Sequence, residues 1–310
     1  MADKIPARFK DENSARKHLE AIQWPEGPIC PHCGVIDRAS RIKGGRPGLL
    51  FCNACRMQFS VTVGTVMERS KVPLHIWLYC NHLLCSSKKG LSSHQMARML
   101  GVTYKTAWFL TMRLRAAMAP LPGSEPPLGG EGKVVEADET ELGHSHKSRG
   151  KRQGRKGNLK FVSLVERGGK VRSHVITGAK GPISIDIYKA LRTDIDRASV
   201  LHTDGAKHYK GNLMFAAHES VDHNKEFTRE GKGGQTVHCN SAEGYFSIFK
   251  RGLVGTYQHM SEQHLPRYLA EFDFRMSHRA KLGIDDATRA DLALKGIAGK
   301  RLTYRRTDAA

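Results

Sequence analysis

The sequence predicts an α/β protein in which a mixed sheet with helices on its faces follows a small cysteine-containing module and a helical module. Two C-x-x-C pairs near the N-terminus, a helical region after them, and a later alternation of short apolar strands with helices predict this order. With 310 residues, 39% of them apolar, the chain is long enough for two or three domains with an ordinary core.

The charge balance of the chain favours a polyanionic partner. Fifty Lys and Arg against thirty Asp and Glu give a formal net charge of +20 and a pI near 9.8. This excess suits nucleic acid better than a membrane. The N-terminal residues carry no apolar signal segment, and no stretch approaches the roughly 18 apolar residues of a spanning helix. We therefore expect a cytoplasmic protein whose seven cysteines bind metal or lie buried as thiols.

Cysteine spacing predicts a structural zinc site within residues 24–66, after a short leader helix within residues 1–23. Two C-x-x-C pairs are separated by 18 residues, and their members are Cys30, Cys33, Cys52 and Cys55. Two such knuckles place four thiolates around one Zn²⁺, as in a zinc ribbon, with no coordination position left open for catalysis. His32 is then expected to be exposed rather than a ligand. Four unrelated buried cysteines are the alternative.

Residues 67–118 have the apolar spacing of helices and contain a helix-turn-helix pattern. Cys80 and Cys85 lie in the first helical segment and are interpreted as core thiols. A short helix, a turn at Gly101 and a second helix from about Tyr104 follow. The second helix is expected to present four side chains to a DNA major groove: Tyr104, Lys105, Thr106 and Arg113. A helical spacer without DNA contact is the alternative, because any compact helical hairpin with a glycine turn has this pattern.

Residues 119–132 contain four prolines and four glycines, which predicts a linker. In residues 133–280 the pattern becomes a strand (KVVEADE), a hairpin (NLKFVSLVER and KVRSHVITG), a helix (ISIDIYKALRTDI), two strands (SVLHTD and AAHESVDH) and a helix containing NSAEGYFSIFKRG. This order predicts the mixed sheet. Residues 281–310 are predicted only as a basic tail.

A strongly basic segment separates the first two predicted strands of the sheet. Residues 147–160 contain seven Lys or Arg and no acid. The segment either contacts DNA phosphates or forms a mobile, solvated loop. The candidate phosphate contacts are Lys151, Arg152, Arg155 and Lys156. His144 and His146, in the preceding residues, are interpreted as DNA-facing or flexible rather than as metal ligands.

Three acids stand where strands end or a helix begins. Asp138 closes the first strand and Asp204 closes SVLHTD. Glu243 precedes Lys250 by seven residues in a helical pattern, which directs both to one helix face. Each acid also has an ordinary explanation: a solvated strand end for Asp138, a turn for Asp204, and a capping box with Asn240 for Glu243. Lys250 could equally be a surface lysine paired with an acid.

Together these blocks resemble a bacterial insertion-sequence transposase of the ISXO type. They are the zinc ribbon, FSVTVGTVMERSKVPLHIW, the helix-turn-helix, VEADETELG, HTDGAKHY and NSAEGYFSIFKRGLVGTYQHMSEQHLPRYLAEFDFRMSHR. The resemblance covers about residues 8–280, and the last block is the most specific. It implies a DDE-class enzyme with an RNase H-like catalytic domain that works on DNA near the nucleoid.

The resemblance also implies roles for individual residues. Asp138 and Asp204 match the two aspartates, Glu243 the closing glutamate, Asn240 the Asn before it and Lys250 the Lys two turns after it. The three carboxylates would bind two Mg²⁺ (or Mn²⁺) ions, which are hard cations that prefer carboxylate oxygen. The N-terminal modules would bind terminal inverted repeats, and a homo-oligomer would pair two ends for cleavage and for transfer into target DNA.

Two other functions are compatible with the same sequence. One is a zinc-ribbon and helix-turn-helix regulator that binds DNA and carries a non-catalytic RNase H-like domain. The other is an RNase H-like nuclease that cleaves without joining ends. They differ from a transposase in the fate of end-labelled DNA.

Overall fold

The computed structural model describes residues 5–142, 159–176, 183–209, 214–222 and 225–300. It contains two compact units: one comprises the residues up to Pro120 and from Ile284 onward, and the other is Leu121–Gly283.

The helices are α1 (Glu12–Gln23), α2 (Leu74–Ser86), α3 (Ser93–Leu100), α4 (Tyr104–Met118), α5 (Ile183–Asp194), α6 (Asn240–Gly252), α7 (Leu265–Ser277) and α8 (Asp286–Lys295). The strands are β1 (Ala39–Arg41), β2 (Leu50–Cys52), β3 (Gln58–Phe59), β4 (Val134–Leu142), β5 (Leu159–Glu166), β6 (Val171–Ile176), β7 (Val200–Asp204), β8 (Ala217–Val221), β9 (Arg229–Glu230) and β10 (Thr236–Val237). Within the described ranges, no helix has both the length and the apolar character needed to span a membrane.

The first unit begins with α1 and a three-stranded antiparallel sheet in which β2 is central. Asp11 caps α1 by accepting a 2.6 Å hydrogen bond from the backbone N–H of Ser14. Leu50 pairs with Phe59 across β2 and β3, and both side chains are buried. Trp24 packs edge-on against Phe59, with ring centroids 5.8 Å apart. The predicted leader helix and cysteine-containing hairpin are therefore present.

The predicted helical region forms α2, α3 and α4. Ser92 caps α3 through its hydroxyl, and Gly101 ends this helix in the left-handed conformation at φ +65°. Thr103 then caps α4 by accepting a hydrogen bond from the N–H of Thr106. These caps confirm the predicted helix, turn and helix. Cys80 and Cys85 are buried in α2, as expected of core thiols.

The segment after residue 281, predicted only as a basic tail, contains α8, which packs against α2. The Asn81 side chain donates a 2.8 Å hydrogen bond to the backbone carbonyl of Ala290. Arg289 is buried and donates to the carbonyl of Cys85 at 2.9 Å. The described end of the chain thus belongs to the first unit, and the second unit is inserted between α4 and α8.

Residues 119–132 contain no helix or strand, as the prolines and glycines predict. The later part of this segment is nevertheless built into the second unit. Leu128 is buried, its N–H donates to the Asp194 carbonyl at 2.7 Å, and its carbonyl accepts from the Asp196 N–H at 2.8 Å. The Gly129 N–H donates to the Glu166 carboxylate at 3.0 Å.

The second unit is a five-stranded mixed sheet with the order β6-β5-β4-β7-β8. β4, β5 and β6 are antiparallel neighbours, whereas β7 and β8 run parallel to β4. This is an RNase H-like arrangement, and it confirms the predicted α/β class and the five main strands.

The two faces of the sheet have different surroundings because alternate residues of a strand point to opposite sides. Val135 and Ala137 are buried in an apolar cluster with Leu191 of α5. Burial of a side chain such as Leu191 contributes about 1.5–3 kcal/mol to folding. Glu136 and Asp138 occupy the opposite face, where the first turn of α6 contacts β4. This second face carries the candidate site.

Candidate active site

Asp138 and Asp204 are brought together by the parallel pairing of β4 and β7. Ala137 pairs with Thr203, so the next residue of each strand is one of the two aspartates. β7 ends at Asp204, whereas β4 continues beyond Asp138 to Leu142. The predicted end of the first strand was therefore placed too early, but the two aspartates lie side by side on neighbouring strands.

Glu243 lies close enough to Asp138 for its charge to affect the pKa of the Asp138 carboxyl. Burial, followed by the charges of Asp204, Glu139 and Glu243, raises the pKa of Asp138 from 3.8 to about 7. The same acids, Asp138, Asp204 and Glu243, raise the pKa of the buried Cys239 thiol, after the larger effect of its burial. The site thus concentrates negative charge around Asp138.

Glu243 lies in the first turn of α6, and both Glu243 and Lys250 are exposed. The helical spacing predicted for this pair is confirmed. No acid forms an ion pair with Lys250 in the part of the chain that the structure describes. The helix begins at Asn240, whose N–H is 3.3 Å from Nδ1 of His238.

The structure supports a purely local role for some of the three acids, Asp138, Asp204 and Glu243, but not for others. The N-cap of α6 is Cys239, which makes no side-chain capping hydrogen bond, so the capping box of Asn240 and Glu243 is absent. Asp204 does support a turn, because its Oδ1 accepts from the Ala206 N–H at 3.1 Å. Asp138 is only partly exposed and accepts from the N–H of Glu139 at 2.8 Å, which excludes a fully solvated strand end.

Two further acids near Asp138 have defined partners that the sequence pattern did not suggest. Glu136 is completely buried and contacts the start of α6. Glu139 accepts a 2.7 Å hydrogen bond from the buried Tyr209 hydroxyl and lies 3.1 Å from Nε2 of His208. The alternation of Glu136 and Asp138 on one strand face was the available signal for Glu136.

The helix-turn-helix presents some, but not all, of its predicted side chains. Tyr104 and Lys105 are exposed, and the His94 ring stacks on Tyr104 with centroids 4.3 Å apart. Thr106 is half-buried, and its hydroxyl lies 2.9 Å from that of Thr103.

The prediction that Arg113 faces DNA is wrong. Its side chain is buried, and it donates to the carbonyl of Val66 at 2.6 Å. The guanidinium also lies over the ring of Phe109, 4.1 Å from the centroid. Arg113 therefore stabilises the helical module from within.

The predicted phosphate-binding loop lies outside the described residues. This applies to His144, His146 and all four candidate contacts, which are Lys151, Arg152, Arg155 and Lys156.

The four predicted zinc ligands form one cluster, with every pair of Sγ atoms within 4.8 Å. Sγ of Cys30 lies 3.6 Å from that of Cys55, and Sγ of Cys33 lies 3.7 Å from that of Cys52. A tetrahedral Zn²⁺ with bonds of about 2.3 Å has ligand–ligand edges of about 3.8 Å, so this cluster fits zinc. The Cys55 backbone N–H lowers the pKa of Cys52 to about 6, whereas burial raises the pKa of Cys55 to about 12, so the metal-free cluster favours a thiolate at Cys52 but not at Cys55.

A four-cysteine ribbon, a helix-turn-helix and an RNase H-like sheet with gathered acids are together typical of DNA transposases. Residues 127–277 match the ISXO2-like transposase domain, and residues 10–58 match the transposase zinc-ribbon domain. The chain is 29% identical over 285 residues to an uncharacterized protein in transposable element ISH50 of Halobacterium salinarum, covering 86% of this chain and 91% of that protein. The chain therefore carries one region similar to the ISXO2-like transposase domain and another similar to the transposase zinc-ribbon domain.

Proposed function

We propose that this chain binds the terminal inverted repeats of an insertion sequence and catalyses metal-dependent strand cleavage and strand transfer. The observation that carries the proposal is the convergence of Asp138, Asp204 and Glu243. They come from two strands and a helix, and their mutual repulsion contributes to the raised pKa of Asp138. Such repulsion opposes folding unless cations compensate it, which favours a functional role for the cluster.

The donor set fits hard divalent cations. All three proposed ligands are carboxylates, and carboxylate oxygens are the ligands that Mg²⁺ and Mn²⁺ prefer. When bound, a pair of such ions would supply positive charge at the attacking and leaving oxygens of a phosphodiester. Asp138, on the central strand, would hold such ions together with Asp204 and Glu243.

The reaction consists of two in-line displacements. In the first, a water oxygen attacks the phosphorus at the element's end, and the bond to the 3′ oxygen breaks to leave a 3′-OH. In the second, that 3′-OH attacks a target phosphate and displaces the target's 3′ oxygen. Lys250, exposed on the same helix as Glu243, is proposed to contact the scissile or a neighbouring phosphate. Asn240, at the start of that helix, is proposed to belong to the same catalytic group.

DNA recognition is proposed for the first unit. The exposed Tyr104 and Lys105 at the start of α4 occupy the positions from which helix-turn-helix proteins read base edges. The excess of 20 positive charges supports phosphate binding elsewhere, including residues 151–156. A homo-oligomer is proposed to hold two ends in one synaptic complex.

The experiment that tests the function is incubation of the zinc-containing protein with end-labelled element DNA and Mg²⁺ or Mn²⁺. Asp204→Asn should bind ends nearly as well as wild type and fail to cleave. Asp196→Asn is a matched control, because Asp196 makes the same kind of turn by accepting from the Ala198 N–H at 2.8 Å. An asparagine can make this turn in both places. Loss of cleavage in Asp204→Asn alone therefore separates catalysis from turn formation.

Other outcomes would assign other functions. A DNA-binding regulator would bind ends and leave both strands intact in every variant. A plain nuclease would cleave without joining ends and without requiring the terminal sequence. Cleavage by Asp204→Asn at the wild-type rate would refute the proposed site.

A further inference from the structure

Glu136 is a buried carboxylate whose hydrogen-bond donors lie mostly at the start of α6. Its exposed fraction is 0%. Its Oε2 accepts from the backbone N–H of Ser241 at 2.7 Å and of Ala242 at 3.2 Å, and Oε1 accepts from the Ser241 hydroxyl at 3.0 Å. The first N–H groups of a helix have no partner within the helix and are usually satisfied by a local N-cap side chain. Here the cap comes from a strand more than one hundred residues earlier.

The charge of Glu136 is compensated from the other side by Arg167. Nε of Arg167 donates to Oε1 of Glu136 at 3.0 Å, and Nδ1 of His238 lies 3.3 Å from the same oxygen. Arg167 also donates to the backbone carbonyls of Thr236 and His238, which precede α6, at 3.1 and 3.3 Å. The buried charge is thus paired and hydrogen-bonded, as burial requires. Both oxygens are occupied by donors, so Glu136 is not available as a cation ligand.

The position of this link connects two of the proposed catalytic acids. Asp138 lies two residues after Glu136 on β4, on the same face of the strand. Glu243 lies two residues after Ser241 in the first turn of α6. A hydrogen-bonded contact between Glu136 and Ser241 therefore sets the distance from the strand that carries Asp138 to the helical turn that carries Glu243.

The docking of α6 does not depend on Glu136 alone. Phe246 and Phe249 pack on Phe161 of β5 with ring centroids 5.5 and 5.0 Å apart, and Phe249 also packs on Phe272 of α7 at 4.7 Å. These aromatic contacts hold the middle of the helix on the sheet. We therefore expect a variant at Glu136 to fold and to retain α6. Only the position of the first turn of α6 should change.

We propose that Glu136 is a positioning residue that caps α6 from the sheet and thereby places Glu243 beside Asp138 and Asp204. This inference depends on the proposed function. Residues that orient the ligands of a metal typically change its affinity about 10–100-fold when they are replaced. Replacing Glu136 should therefore weaken metal binding and make the backbone amides in the first turn of α6 exchange faster. Both effects can be measured without an assay of cleavage.

The test is Glu136→Gln in the zinc-containing protein. Donors face both oxygens of Glu136, whereas glutamine has one acceptor oxygen and one N–H₂ donor group. In either orientation of the amide, its N–H₂ group therefore meets donors, and the negative charge that binds them is lost. Amide hydrogen exchange at Ser241 and Ala242 should accelerate about tenfold in the absence of divalent cation. The Kd for Mn²⁺, measured by calorimetry, should weaken about tenfold, and cleavage should recover as the Mn²⁺ concentration is raised.

Glu166→Gln is the matched control. Glu166 lies in the same unit and accepts from the Gly129 N–H and the Lys133 ammonium, both at 3.0 Å, but it is not among the contacts of α6. This variant should resemble wild type in exchange at α6 and in Mn²⁺ affinity. A general loss of stability would alter both variants.

The outcomes separate this inference from the proposed function. If Asp138→Asn binds Mn²⁺ as tightly as wild type, the proposed metal site itself fails. If Asp138→Asn loses Mn²⁺ but Glu136→Gln has wild-type affinity and exchange, only the positioning role is overturned. If Glu136→Gln does not fold, Ser241→Ala decides: loss of its hydroxyl donor should weaken Mn²⁺ binding about threefold, and unchanged affinity would overturn the inference.

Discussion

Replacing Asp138 with asparagine should stabilise the metal-free protein while removing its proposed activity. Asp138 is a partly buried acid among other acids, and its pKa is raised to about 7 by burial and by the charges of Asp204, Glu139 and Glu243. Asparagine has nearly the same shape but no charge. Its Oδ1 can still accept the Glu139 N–H that Asp138 accepts at 2.8 Å. The substitution therefore removes repulsion without removing a known hydrogen bond.

The magnitude follows from the pKa shift. The change for Asp138 from 3.8 to about 7 is about three pH units, and each unit corresponds to about 1.36 kcal/mol, so the upper limit is about 4 kcal/mol. Because solvent and local relaxation weaken such effects, we expect a gain of about 1–2 kcal/mol, or roughly 2–8 °C in Tm for a unit of this size.

The sign of the pH dependence is set by the raised pKa. Since folded Asp138 binds its proton more tightly than the unfolded chain, this group lowers the unfolding free energy of wild type as pH rises from about 4 to about 7. The advantage of Asp138→Asn should thus be small at pH 4, grow across that window and level off near pH 8.

Thermal and urea unfolding of the zinc-containing, Mg²⁺-free proteins at several pH values would measure this advantage. Asp196→Asn is again the control, because it replaces an aspartate in a turn outside the acid cluster. Added Mg²⁺ should stabilise wild type more than Asp138→Asn and narrow the difference. A variant that is no more stable than wild type at pH 8, or whose advantage is the same at pH 4, would refute the reasoning.

Two further predictions concern the first unit. Cys52→Ser should lower the zinc content from about one ion per chain to near zero and weaken end binding at least about tenfold, because zinc binding contributes directly to the folding of such modules. Elemental analysis and a gel-shift titration would measure these two effects. Cys85→Ala is the control, because Cys85 lies outside the four-cysteine cluster and its loss should leave the zinc content unchanged. An unchanged zinc content in Cys52→Ser would contradict the zinc ribbon. Lys105→Ala should weaken binding about 5–10-fold and reduce the slope of log affinity against log salt by about one, if this exposed side chain contacts a phosphate. An unchanged salt slope in fluorescence anisotropy would exclude that contact.

Much of the fold could be predicted because local patterns specify it. Gly101 between two capped helices marked the turn of the helix-turn-helix, and the two C-x-x-C pairs marked the four-sulfur cluster. Alternation and short apolar runs identified the five main strands. In each case the informative residues lie close together in the sequence, so their spacing carries the structural information.

The sequence was less informative where a polar residue finds its partner far along the chain. Glu136 looks like one acid of a charged strand end, yet it is buried because α6 and Arg167 supply its donors. Arg113 looks like a groove-facing cation, yet the Val66 carbonyl binds it inside the helical module. Such pairings depend on how elements pack, and one sequence does not encode them in its spacing.

The placement of the three acids is an intermediate case. The ends of strands and the start of a helix identified Asp138, Asp204 and Glu243 as candidates, but each also had a local explanation. Parallel pairing of β4 with β7 places Asp138 beside Asp204. The effect of the Glu243 charge on the pKa of Asp138 indicates that Glu243 lies near them. Their proposed roles as metal ligands follow from that grouping together with the resemblance to transposases.

The most direct measurement of the central claim is a crystal structure of the protein soaked in Mn²⁺, with data collected for anomalous scattering. We expect two Mn²⁺ peaks, about 3.5–4 Å apart, both within bonding distance of Asp138 and one each beside Asp204 and Glu243. Absence of Mn²⁺ from these carboxylates at saturating concentration, with strong peaks elsewhere in the same crystal, would contradict the account.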